Sequence, residues 1–73
     1  MDEKALKELM LKENANFRRL YKDHQACEKR LEGLQSKSFL NEEETLEVRE
    51  LKKRKLSLKD GMYRMMAEFR KAH

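Results

Sequence analysis

The chain has 73 residues, 44% of them charged, with a net charge of +4, no proline, two glycines and one cysteine. A chain this short is one domain at most and buries only about 60% of its unfolded surface; a lone cysteine excludes a disulfide framework and fits a reducing compartment. There is no run of about 18 apolar residues, which excludes a transmembrane helix, and the only β-branched residues, Thr45 and Val48, are too few for a sheet.

The opening Met1-Asp2-Glu3-Lys4 is not an apolar signal segment, so a soluble, cytoplasmic protein is expected. From there the sequence predicts a first helix over about residues 2–35. Its apolar seam reads Leu6, Met10, Phe17, Leu20, His24, Cys27, Leu31 and Leu34. The spacing alternates three and four, the mark of a coiled-coil face, with one gap at Glu13. Leu9 and Tyr21 widen the stripe.

Gly33 and the Ser36-Lys37-Ser38 run weaken this helix near its end, and a loop is expected over about residues 36–41. Asn41 is a good helix N-cap, and Glu44 stands where a capping box needs a side chain that reaches back. Glu42, Glu43 and Glu44 would sit at the positive end of the new helix dipole.

The second helix is predicted over about residues 42–71. Its seam reads Val48, Leu51, Lys55, Leu58, Met62, Met65, Phe69 and Ala72. Gly61 lies inside it and costs about 1 kcal/mol against alanine. Two long amphipathic helices and a short loop predict an all-α fold, an antiparallel two-helix hairpin resembling a coiled coil. A hinge near residue 38 would set Phe17 against Leu58, Met10 against Met65 and Leu6 against Phe69. One two-helix seam is a thin core, so dimerisation of hairpins into a helical bundle is expected.

Two stretches, NANFRRLYKDHQACEKRL and LKKRKLSLKDGMYRMM, resemble the YdcH-like family of short bacterial proteins, which carries the label "domain of unknown function". The resemblance runs from about Asn14 to Met66. The family's phenylalanine, leucine and histidine match Phe17, Leu20 and His24, and a later apolar position matches Leu31. Its second half matches Leu51, Lys52, Lys55, Leu58, Lys59 and Asp60. Cys27 and Glu28 stand where the family has a leucine-aspartate pair, and Gly61 where it often has glutamate. The resemblance implies a helical hairpin and no settled biochemical activity.

Lys55 puts a charge into the apolar seam. A lysine can lay its carbon stem along apolar surface and keep its ammonium in water. In the expected register it faces Leu20, with its head over Tyr21 or reaching Asp23. With His24 it reads as a register-setting polar residue, one that forbids slipped pairings at a cost in stability. The rival reading is an anion or partner contact.

His24 and Cys27 share a helical face, but zinc needs four ligands, or three and a water, and the remaining histidine, His73, is far along the chain. Both are read as seam residues, with Glu28 the expected partner of His24. Nucleophilic catalysis needs a nucleophile, a base and an orienting group around a cleft; a thin hairpin offers none, and no enzyme activity, cofactor or small-molecule substrate is expected.

Arg49, Lys52, Lys53, Arg54, Lys55 and Lys59 form a basic stretch, read as fanning around much of the helix; Arg49, Lys52, Lys53 and Lys59 are its candidate phosphate-binding patch. Leu11, Leu56, Tyr63 and Met66 lie off the seams and form the candidate interaction surface. The expected role is a non-catalytic protein–protein interaction or self-association module, as a homodimer or with another helical protein. The alternative is weak nucleic-acid association through the basic stretch.

Overall fold

The structure, a computed structural model, describes residues 2–72; His73 lies outside them. Three helices follow one another: α1, Glu3–Glu13, α2, Ala15–Gln35, and α3, Glu42–Ala72. The described residues form no strand. Their long axis is 48 Å, close to the roughly 46 Å expected of the 31 residues of α3 at 1.5 Å each.

The expected first helix is two helices. The chain leaves the helical conformation at one residue, Asn14, with φ −117° and ψ 109°. Asn14 ends α1 by donating its backbone N–H to the Met10 carbonyl at 2.8 Å. It also starts α2, its side-chain oxygen accepting from the Phe17 N–H at 3.0 Å. Arg18 then clamps the corner, its guanidinium donating to the carbonyls of Leu11 at 2.9 Å and Lys12 at 3.1 Å.

The corner is a reversal. In an unbroken helix Lys7 and Tyr21 would lie about 21 Å apart along the axis. Instead the Lys7 ammonium sits 4.9 Å from the centre of the Tyr21 ring. Folding α1 back removes Leu6 and Met10 from water against Phe17, Met62 and Met66, all five buried, with Leu11, Leu20, Tyr21, Met65 and Phe69 packed around them. This cluster thickens the two-helix seam within a single chain, and its apolar burial is the gain that the straight helix would forgo.

Toward the loop, Cys27, Leu31 and Leu34 are buried on α2. The loop ends as the sequence suggests. Glu44 donates its N–H to the Asn41 side chain at 2.8 Å, and its carboxylate accepts from the Asn41 N–H at 3.2 Å. This closed capping box fixes the start of α3 at Glu42.

The register differs from the expected one. Lys55 faces Glu28 rather than Leu20, Gly61 lies against Leu20, and Phe17 packs with Met62 and Met66 rather than Leu58. Near the loop the pairing stays close to the expected one, Arg30 meeting Glu47. The shift appears toward the far end, where α1 folds back and shares the cluster of Phe17, Met62 and Met66.

Candidate interaction surface

Helix α3 buries one face against α2 and α1 and leaves the opposite face open. At about 100° per residue, Arg49, Lys52, Lys53, Leu56, Lys59 and Tyr63 fall within an arc of about 120°, bordered by Leu46. All are exposed. Three large apolar side chains stand there in water: Leu46, 56% exposed, Leu56, 63%, and Tyr63, 48%. Lys59 lies over the Tyr63 ring at 6.0 Å.

The basic stretch therefore divides by face. Arg54 borders a hollow shared with Asp23, Cys27 and Leu51 on the α2 side. Lys55 turns toward Glu28. The other four lie within the outer arc instead of fanning around the helix, with Lys59 at the edge that borders the cavity under α1. Among the described residues, Arg49, Lys52 and Lys53 have no carboxylate partner. Two acids fall within the outer arc, Asp60, one position past Lys59, and Glu42, at the first position of α3.

The acids at the start of α3 are engaged elsewhere. Glu47 accepts two hydrogen bonds from the Arg30 guanidinium at 2.7 and 2.9 Å. Glu44 pairs with the Lys37 ammonium. The Arg30 hydrogen bonds hold the Glu47 carboxyl below its ordinary value. The Lys37 hydrogen bond, then the Asn41 N–H, do the same for Glu44. The Glu47 hydrogen bond and charge push Arg30 up.

Two of the residues expected on the interaction surface lie elsewhere. Met66 is buried and Leu11 is packed against the same cluster. Both are off a two-helix seam, but the returning α1 creates a second buried face that covers them. Leu46 was not singled out from the sequence; its position beside Arg49 and Lys53 on the outer arc is the signal that finds it. Phe39, in the loop, is 83% exposed.

His24 and Cys27 do not form a chemical pair. His24 borders a cavity of about 80 Å³ under α1, lined also by Glu3, Lys7, Phe17, Met62 and Met66 and, at the edge of the outer arc of α3, by Lys59 and Tyr63. That volume is far below the several hundred Å³ of a small-molecule site. His24 Nε2 is buried without a hydrogen bond, 3.8 Å from Glu28 Oε1. Cys27 is a buried free thiol beside Leu51. Among the described residues no group of three or more His, Cys, Asp or Glu side chains stands ready to hold a metal ion. No helix there is long and apolar enough to cross a membrane.

The chain matches one family model over residues 17–66, described as a protein of unknown function, DUF465. The chain belongs to that family. The match agrees with the YdcH-like resemblance of its two halves. The DUF465 region spans nearly all of α2 and most of α3, including the outer face of α3, and leaves α1 and the Asn14 corner outside. No curated protein and no solved structure matches the chain.

Proposed function

We propose that this DUF465 protein is a non-catalytic interaction module that lays the outer face of α3 against a helix of another protein. The observation that carries this is the combination on one arc of exposed Leu46, Leu56 and Tyr63 with Arg49, Lys52, Lys53 and Lys59. Apolar side chains supply the contact area of a helix-in-groove or helix-on-helix complex. The unneutralised basic residues around them select a partner with acidic residues flanking its own apolar stripe. They also disfavour pairing of this face with itself, since like charges would meet.

The test is affinity capture from native lysate, comparing the wild-type chain with Leu56→Ala/Tyr63→Ala and with Arg49→Glu/Lys53→Glu. A partner retained by the wild type and lost with both variants supports the reading if it presents an acidic amphipathic helix. A partner retained equally by all three places the contact on another surface.

A second reading rests on the gathering of Arg49, Lys52, Lys53 and Lys59 on one side of α3, which is also the geometry for nucleic-acid phosphates. Such binding would fall steeply with salt, with a slope near −0.9 per phosphate neutralised. It would also survive Leu56→Ala/Tyr63→Ala. An electrophoretic shift series in salt separates the two.

A further inference from the structure

We propose that α1 exchanges between two copies of the chain, each copy's α1 filling the groove of the other, with Asn14 as the hinge. The groove under α1 meets the outer arc of α3 only at Lys59 and Tyr63, so exchange is tested apart from association through Leu46 and Leu56.

The hydrogen bonds at the corner are compatible with two shapes. In the folded-back chain, the Leu11 and Lys12 carbonyls are satisfied by Arg18, and the Phe17 N–H by the Asn14 side chain. If α1 and α2 straightened into one helix, the Leu11, Lys12 and Glu13 carbonyls would instead accept from the N–H groups of Ala15, Asn16 and Phe17, four residues on. One set of bonds replaces the other, so the connection itself favours neither shape strongly. What holds α1 back is the burial of Leu6 and Met10 against Phe17, Met62 and Met66.

A straightened α1 continues the axis of α2 and so points away from its own groove, which it reaches only when the chain bends at Asn14. It would expose Leu6 and Met10, and its groove would expose Phe17, Met62 and Met66. Two straightened copies restore every one of these contacts by exchange, which is the condition for domain swapping. The groove residues lie at the end of α2 from which α1 would project, so each α1 would extend into the other copy's groove. The apolar seam of the sequence, continuous across residue 14 except for the gap at Glu13, serves both shapes. The exchanged dimer is elongated, longer than the 48 Å of one copy.

Two substitutions at the hinge push in opposite directions. Ala15→Pro favours the folded-back chain. Proline is accepted at the first position of a helix, and it drives the preceding residue toward φ near −120° and ψ of about 120–160°. Asn14 already adopts φ −117° and ψ 109°, and the Ala15 N–H donates no bond that proline would remove. The same proline would break a continuous helix. Asn14→Ala does the reverse, removing the cap and supplying the best helix former. Arg18→Ala acts in the same direction by releasing the Leu11 and Lys12 carbonyls.

Sedimentation velocity of the full chain and its variants, from about 10 μM to about 1 mM, reads the outcome as mass action on dimer formation. Asn14→Ala and Arg18→Ala are expected to lower the dimer dissociation constant at least tenfold while keeping helix content by circular dichroism. Ala15→Pro is expected to be monomeric throughout, and Asn14→Ala/Ala15→Pro to return to monomer. The same order is expected with Leu46→Ala/Leu56→Ala in the background, two exposed residues outside the groove, which separates exchange from association through the outer face of α3. The proposal is overturned if Asn14→Ala and Arg18→Ala stay monomeric or lose helix content, or if Ala15→Pro dimerises as they do.

Discussion

Lys55 Nζ lies 3.5 Å from Glu28 Oε1, joining the middle of α3 to the middle of α2. The same carboxylate lies 3.8 Å from His24 Nε2. Lys55 is half-exposed, so its stem lies along the interface while its ammonium stays near water. A pair of this kind contributes about 0.2–1 kcal/mol, less than a leucine side chain would gain by burial at the same place. What it adds is position: the charge finds Glu28 only when α2 and α3 are in one alignment. Lys55→Leu is therefore expected to raise the melting temperature, by about 4–8 °C for each kcal/mol in a chain of this size, and to broaden the distribution of oligomers. Thermal melting and sedimentation together check this. No change in either removes Lys55 from the residues that set register.

Gly61 faces Leu20 across the same interface. A Cβ built there would sit 3.4 Å from Leu20 Cδ1, at ordinary contact distance. Gly61→Ala should then gain the helix propensity that glycine forgoes, about 1 kcal/mol, with no clash to offset it. A larger side chain meets Leu20, and overpacking of this kind costs about 1–3 kcal/mol. Urea unfolding of Gly61→Ala and Gly61→Leu should show midpoints moving in opposite directions. A Gly61→Ala midpoint below that of the wild type would mean that α3 needs a close approach at this point.

Phe17 is fully buried and stands where all three helices meet. Phe17→Ala removes contacts to α1 and α3 at once and leaves a cavity; such changes cost about 3–5 kcal/mol. Small domains have little stability to spare, so the variant is expected to be largely unfolded at 25 °C by circular dichroism. A well-folded Phe17→Ala chain would show that α2 and α3 hold together through Cys27, Leu31 and Leu34 alone.

The helix restart at Glu42 was legible because its signal is local: Asn41 and Glu44 satisfy each other whatever the rest of the chain does. The break at Asn14 was not. Its trace in sequence is an asparagine beside a one-position gap in the seam, and the stripe of Leu6 and Met10 looks the same on a straight helix as on a reversed one. Burial of those two residues against Phe17 decides between the shapes, and that is a contact across sequence rather than a pattern along it. The same contact explains the partial view of the surface. Leu56 and Tyr63 announce themselves by lying off the seam, and so does Met66; only α1 distinguishes the exposed pair from the covered methionine.

The loop end of the molecule is held by charge, which makes it sensitive to acid. Glu44 and Glu47 are both held below the ordinary glutamate value, by Lys37 and by Arg30 respectively. A carboxylate depressed in the folded state adds stability that is fully present above its unfolded value, about 4.3. That stability is lost as the pH falls through the folded value. The stability of the wild type is therefore expected to be level from neutrality to about pH 5 and to fall below it. Glu47→Gln removes the depressed group, so its stability at pH 7 should be lower and its decline in acid shallower. Both carboxylates are solvent-facing, so added salt should narrow the difference between the two chains. Denaturant unfolding at pH 7 and in acid, with and without salt, checks the sign. An equally steep acid decline in Glu47→Gln would place the sensitive carboxylate elsewhere, with Glu44 and its Lys37 partner the next pair to substitute.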